Sequence, residues 1–570
     1  MQRVSLPKKT NFEQQCVIMK KLLTLTFTIS LTLAIAQVNS TIKPLSFNLP
    51  DIPQNIAQFE LPAFNLPEAE LADEQDEKNG ELPKFSRSIF TDITLTNAGN
   101  WIELSNGDRL WRVKIKSDGA QALLLYYNKF FLPTGATLHV YTEDKTEIRG
   151  AFTSFNNPRN GYFATGLTHG ESCIIEYFEP VKVKGQGIIS LNEIGHAYRW
   201  VNSIFPNVRG GSALGFNQSD ACEVNINCEE GNDWQNEKRA VSCIIVQSQQ
   251  GQGICSGTLI NNVREDCTPY LLSAQHCSEF VSSNQYAQWI FHFNYESLDC
   301  NNPNSVGTLD DDFVVGCTKK ADSDDNGGDT GSDFLLLELN QQPPTAFNVY
   351  YAGWDAAPTA PTGGVCIHHP EGDIKKISTY QQTGVNTSWG GSSPGTHWRI
   401  KWVVSTNGHG VTEPGSSGSA IFNTSKKIVG TLTGGDSFCS SPNSPDFFGK
   451  ISYHFTLNGN TASTQLKPWL DPDNTGTTAV NGRNADCFSS SGNLDKHVNE
   501  FEIYPNPALD ICTIHFSEKG EKEIVITDVS GRIVLSHKAM MLIENMDLSL
   551  LSSGIYFVRV DNFCKKMLIE

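Results

Sequence analysis

Three short stretches of the chain carry side chains that could together break an amide bond. They are Leu272-Ser273-Ala274-Gln275-His276-Cys277, Gly331-Ser332-Asp333-Phe334 and Glu413-Pro414-Gly415-Ser416-Ser417-Gly418-Ser419. A serine hydroxyl is a poor nucleophile at neutral pH unless an imidazole stands within hydrogen-bond reach. The imidazole in turn needs an acceptor on its other nitrogen to fix the tautomer. Ser417, His276 and Asp333 supply those three parts. Gly415, two residues before the serine, lets the backbone turn so that the N–H groups of Gly415 and Ser417 face one spot. There they would stabilise the oxyanion of a tetrahedral intermediate, and losing one such donor typically costs about 3–4 kcal/mol of barrier. Taken singly, a Gly/Ser-rich run reads as a loop and a lone His as a core residue. Their conjunction, with a cysteine beside the histidine, points to a hydrolytic triad.

Elements must hold these groups in place. Gly257-Thr258-Leu259-Ile260, Tyr270-Leu271-Leu272-Ser273-Ala274 and Phe334-Leu335-Leu336-Leu337-Glu338-Leu339 have the apolar run lengths of buried strands. Few segments have helical periodicity, so residues 210–485 read as an all-β domain, a sandwich or a barrel. Before it, the alternation in Arg109–Ile115 and Thr137–Tyr141 predicts a second β-rich unit at about 89–183. Residues 41–84, with four Leu-Pro pairs, read as an extended leader. A polar linker over 486–498 leads to a last unit, 499–570, with clean strand alternation at Glu523–Asp528 and Gly554–Val560.

The chain of 570 residues has 43 basic and 62 acidic side chains, a net charge of −19 that argues against a general nucleic-acid binder. Its one long apolar run is near the start. Lys20-Lys21, then Leu22–Ile35, then Ala34-Ile35-Ala36 form an export signal over 19–36, with residues 1–18 an upstream start-site extension. No membrane span is expected once the signal is removed. Export explains the cysteines: ten of the 15 fall between 222 and 439, none in paired CxxC motifs, so disulfides rather than zinc are expected. Asp322-Ser323-Asp324-Asp325-Asn326-Gly327 opens like a calcium loop with Asp333 at its twelfth position. The flanks are strand-like and Asp333 is already engaged, so a solvated acidic loop is the better reading. His368-His369 would point to opposite faces of a strand and read as structural. No cofactor or metal is expected.

The order His, Asp, Ser is that of the chymotrypsin fold, and residues 210–480 resemble the lysyl endopeptidases, a bacterial branch of the chymotrypsin-like serine proteases. The resemblance is carried by the three stretches above together with Ala352-Gly353-Trp354-Asp355, Ile367-His368-His369-Pro370, Lys376-Ile377-Ser378, Gly410–Ser419 and Trp469-Leu470-Asp471-Pro472. It implies a double β-barrel with the active site between the barrels, and cleavage of polypeptides after Lys at P1. Asp446, in Ser444-Pro445-Asp446-Phe447-Phe448-Gly449, matches the family's pocket carboxylate. Trp389 matches a family tryptophan near the active-site histidine. Thr433 stands where the family carries a histidine, and Gln275 replaces a commoner Ala or His; the departure at 433 bears on rate, pH profile and the strictness of Lys over Arg. The resemblance also implies the bridges Cys222–Cys439, Cys228–Cys300 and Cys255–Cys277. For the remaining four cysteines, Cys243–Cys366 and Cys267–Cys317 are the favoured pairs, although sequence does not fix connectivity.

By the same resemblance, residues 37–209 stand where the family carries a propeptide. The junction is expected near Asn217–Ala221 or at Arg209-Gly210; with no Lys close by, another protease or a cut at Arg209 is expected. Residues 499–570 resemble the type A sorting domain of the type IX secretion system, through Ile503-Tyr504-Pro505-Asn506-Pro507, Asp528-Val529-Ser530-Gly531-Arg532 and Leu551–Arg559. That implies a small β-sandwich, engagement of the secretion machinery, and a product that is secreted or held on the outer cell surface. The expected function is a secreted serine endopeptidase cutting after Lys. The alternatives are a broader Lys/Arg endopeptidase and a catalytically dead surface-binding protein.

Overall fold

A computed structural model describes residues 42–199, 216–485 and 501–569, apart from short stretches within each. The export signal, the linker and the Arg209-Gly210 junction lie outside the described residues. Two compact units divide the chain after Cys487.

In the first unit, six strands close into a barrel. Val241–Ser248 lies between Gly251–Leu259 and Ile290–His292, and Gly251–Leu259 continues through Tyr270–Ser273 to Leu335–Leu339. The run from Phe313 to Asp322 bends at Gly316, where φ is +85°. One half of it pairs with Ile290–His292 and the other with Leu335–Leu339, which shuts the ring. Closure leaves no open edge there and buries the apolar faces of the strands. A second barrel follows, ordered Lys376–Tyr380, Gly364–His368, Ala420–Asn423, Lys427–Gly435, Asp446–Lys450 and His397–Ile400. The Val403 N–H donates to Thr379 O at 2.9 Å and joins its ends.

The N-terminal part of this unit has two sheets over one core. Strands extend beyond the expected 89–183 on both sides, from Lys84–Thr94 to Ile188–Ala197. The leader is not wholly extended, because Leu66–Lys78 is an α-helix. Its sequence, LPEAELADEQDEK, is rich in helix formers, and the Asn65 side chain accepts from the Glu68 N–H at 3.4 Å. The Leu-Pro pairs masked that propensity.

The second unit holds a three-stranded sheet (Phe501–Tyr504, Ile511–Phe516, Ile543–Asp547) and a four-stranded one (Ile533–Ala539, Lys522–Asp528, Gly554–Val560, Phe563–Ile569). Residues from both sheets, among them Ile514, Phe516, Ile526 and Val558, share one buried core.

All three expected bridges form: Cys222–Cys439, Cys228–Cys300 and Cys255–Cys277. The first spans 217 residues; in the chain-entropy picture a loop of that length is worth about 5 kcal/mol. The other two favoured pairs do not form. Cys243, Cys317 and Cys366 are free thiols, and Cys267 is disulfide-bonded but not to Cys317. Cys243 packs in the core shared with the N-terminal sheets, whereas Cys366 packs inside the second barrel. An even count of cysteines did not mean proximity.

Candidate active site

His276 sits in a single 3-10 turn, Gln275–Ser278, that follows strand Tyr270–Ser273. The bridge from Cys277 to Cys255 pins this turn to the neighbouring strand Gly251–Leu259. Asp333 ends the loop before strand Leu335–Leu339. The Asp333 carboxylate, fully buried, takes the His276 Nδ1 hydrogen bond on Oδ2 at 2.7 Å and the His276 backbone N–H on Oδ1 at 3.0 Å. Ring orientation and tautomer are both fixed by this double contact.

Ser417 precedes strand Ala420–Asn423 of the second barrel and, with His276, lines a cleft of about 950 Å³. Gly415 has φ +90°, and a Cβ there would lie 2.9 Å from His369 O and 3.0 Å from Gly372 N. Only glycine fits that approach. Among the described residues, neither the Gly415 nor the Ser417 N–H is donated to a protein acceptor, which leaves both for a ligand. Trp389 and Thr433 line the same cleft. The Trp389 ring meets Phe447 edge-on at 5.5 Å.

Asp446 does not reach the cleft surface. It lies behind Thr412 and Gly435, both of which line the cleft. Its carboxylate is fully buried. Oδ2 accepts from Trp402 Nε1 at 2.6 Å, Thr412 Oγ1 at 2.7 Å and Ser437 Oγ at 2.5 Å, and Oδ1 accepts from the Ser437 N–H at 3.2 Å. No Lys or Arg forms an ion pair with it among the described residues. Burial pushes its pKa up, against the pull of those donors. A Cβ on Gly435 would sit 2.0 Å from Asp446 Oδ1. A side chain at 435 would therefore collide with the carboxylate.

Two supports escaped the sequence reading. Asp333 is held at φ +56°, a left-handed conformation that costs an ordinary residue on the order of 1–3 kcal/mol. Asp325, from the acidic run, offsets this: its Oδ2 accepts the Asp333 N–H at 2.8 Å, and its Oδ1 accepts from Ser323 Oγ at 2.7 Å and Gly328 N at 3.1 Å. The run is thus a clasp around Asp333. Gln275 contributes by accepting the Gly327 N–H at 2.7 Å. The second support is His397, whose Nε2 lies 3.0 Å from Thr433 Oγ1. An imidazole thus contacts position 433 from another strand. Burial lowers its pKa to about 4, so it is neutral at working pH.

Burial by itself would lower the pKa of His276. The Asp333 charge and hydrogen bond, then Glu279 and Asp325, outweigh it and hold the pKa above the ordinary value. A general base works only when deprotonated, so the acid limb of kcat/KM is expected to have its midpoint above 6.5. Glu279→Gln should move that limb down, because it removes one of the negative charges that raise it. A wild-type midpoint below pH 6 in a pH–rate profile contradicts the assignment.

Residues 216–449 match the family model of the lysyl endopeptidase C-terminal domain, and residues 502–569 that of the secretion system C-terminal sorting domain. A lysyl endopeptidase of Pseudomonas aeruginosa is 29% identical over 385 residues, covering 64% of this chain and 78% of that protein. Among solved structures, protease Anisep from Arthrobacter nicotinovorans is 15% identical, covering 40% of this chain and 98% of its own, with a TM-score of 0.28. The thermostable serine protease AL20, from an extremophilic microorganism, is 16% identical, covering 38% and 92%, with a TM-score of 0.27. At such scores these two likenesses add nothing to the strand pairing described above. The chain is a secreted or surface-held serine endopeptidase whose residues 216–449 match the lysyl endopeptidase C-terminal domain and whose residues 502–569 match the secretion-system sorting domain.

Proposed function

We propose that the enzyme hydrolyses peptide bonds on the carboxyl side of lysine. Ser417 Oγ attacks the scissile carbonyl while His276 takes its proton. Asp333 stabilises the imidazolium without itself becoming protonated, and the Gly415 and Ser417 N–H groups receive the oxyanion. His276 returns the proton to the leaving amine, and water then releases the acyl group by the same steps.

One observation carries the choice of lysine: a buried carboxylate held by four donors and lacking a cation. Leaving it unpaired against an apolar side chain is costly, so the slot selects cations. Its hydrogen bonds go further. Oδ2 is saturated by three donors, whereas Oδ1 accepts one and keeps a lone pair. An ammonium needs one acceptor. A guanidinium fork works best with both oxygens of a carboxylate. The geometry favours Lys over Arg by this count.

Initial rates on otherwise identical fluorogenic peptides ending in Lys, Arg or Phe test the proposal. Lys should exceed Arg by roughly tenfold or more, and Phe by at least about a thousandfold. Equal rates on Lys and Arg would move the reading to a broader basic specificity; a preference for Phe would remove it.

A further inference from the structure

Gly415-Ser416-Ser417 has to aim two backbone N–H groups at one point, and the neighbouring peptides hold it to that task. In a trans peptide the N–H points away from the carbonyl it is joined to, so fixing one fixes the other. Pro414 O accepts the Glu371 N–H at 2.6 Å, which turns the Gly415 N–H the opposite way. Ser416 O accepts the Ser419 N–H at 3.0 Å, which does the same for the Ser417 N–H. From the first barrel, Ser256 donates its hydroxyl to Gly415 O at 2.9 Å and its N–H to Ser417 O at 2.8 Å.

The side chain of Ser416 adds a further hold. It is fully buried, and its Oγ lies 2.8 Å from Nδ1 of His368, on strand Gly364–His368, while accepting the Glu413 N–H at 3.3 Å. Across the ring, His368 Nε2 lies 3.0 Å from Ser378 Oγ. Ser378 gives its one hydroxyl proton to Val411 O at 2.6 Å, so toward the ring it accepts, and Nε2 carries the imidazole hydrogen. Nδ1 is then the bare nitrogen and takes the Ser416 hydroxyl proton. Glu223 Oε2, 3.8 Å from Nε2, is beyond hydrogen-bond reach. Burial, helped by Lys376, lowers the pKa of His368 to about 3, so the ring stays neutral and this order of donors holds at working pH.

We infer that His368 is a positioning residue of the oxyanion site: through the Ser416 hydroxyl it holds the peptide planes that present the Gly415 and Ser417 N–H groups. The histidine touches no reacting atom. Glycines flank the Ser416-Ser417 pair, Gly415 at φ +90° and Gly418 at φ +80°, and they resist rotation of the backbone only weakly. Without the bond to His368, the peptide between Ser416 and Ser417 can tilt its N–H off the point where negative charge develops, and donors of this kind act only when already aligned. The inference rests on the triad and oxyanion reading above.

The test uses the enzyme as it is secreted, with Ser416→Ala, His368→Phe and His368→Gln. Ser416→Ala should lower kcat on a Lys peptide about 10–100-fold and leave KM within about twofold, because the aligned N–H groups favour the transition state over the bound substrate. A peptide aldehyde, whose adduct with the serine puts an oxygen at the same spot, should lose affinity by the same factor. A simple alkylamine, which fills only the lysine slot, should bind unchanged. His368→Phe should match Ser416→Ala, and the double variant should lose no more than either, since both break one link. Glutamine can donate to Ser378 and accept from Ser416, so His368→Gln should stay within about fivefold of wild type. Ser416→Ala decides the matter where His368→Phe does not fold. Full activity in Ser416→Ala, an alkylamine affinity that falls as far as kcat, or a glutamine variant as poor as the phenylalanine one overturns the inference. A wild-type preparation that cleaves no peptide and is not labelled by an organofluorophosphate fails the endopeptidase reading, and the inference falls with it.

Discussion

Ser417→Ala is expected to lower kcat on a Lys peptide by about six orders of magnitude, leaving a residue of catalysis from the oxyanion donors and substrate binding. The size follows from the role: the substitution removes the attacking atom, and water must take its place without an aligned proton path. KM should change little, because the hydroxyl contributes nothing to the slot that holds the ammonium. Thermal stability should stay within about 0.5 kcal/mol of wild type, since Ser417 is only half-buried and its hydroxyl makes no hydrogen bond among the described residues. The measurement is single-turnover hydrolysis of a fluorogenic peptide, with an organofluorophosphate as a count of active sites. Activity within a hundredfold of wild type, or labelling of the alanine variant, would show that the nucleophile lies elsewhere.

Asp446→Asn should cost about 3–5 kcal/mol in transition-state binding of Lys substrates, a loss of roughly 10²–10⁴ in kcat/KM. The three donors on Oδ2 and the one on Oδ1 were set for an anion. An amide offers one oxygen; with that oxygen on the three donors, its NH₂ faces the Ser437 backbone N–H, which cannot accept. An incoming ammonium then meets a slot without charge. Peptides with an uncharged residue at P1 should lose much less, so the ratio of Lys to Phe rates is the informative number. If that ratio survives the substitution, cation selection is made by another group.

The sequence marked the candidate reacting groups because each sits in a short local pattern: a serine between glycines, a histidine beside a bridged cysteine, an aspartate opening a strand. What escaped it depends on contacts across long separations. Asp325 stands eight residues before Asp333 and reads as one more charge in an acidic run; its role shows only when the loop folds back and its oxygens meet three donors. His397 lies 36 residues from Thr433, on a neighbouring part of the second barrel, and nothing local marks the two as partners. The free thiols of Cys243, Cys317 and Cys366 show the same limit, because pairing demands adjacency in space. The helix Leu66–Lys78 was missed for a different reason: repeated prolines outweighed a run of good helix formers.

The bridge between Cys222 and Cys439 has a further consequence for where this enzyme can be dangerous. Cys439 follows two residues after Ser437, whose N–H and hydroxyl both hold Asp446. The anchoring of the Asp446 carboxylate, the proposed reader of a P1 lysine, is thereby coupled to oxidation of two thiols that stay reduced in the cytosol. A chain still on the inner side of the membrane would carry its proposed nucleophile without a firmly set recognition slot, and the proteins around it would be spared.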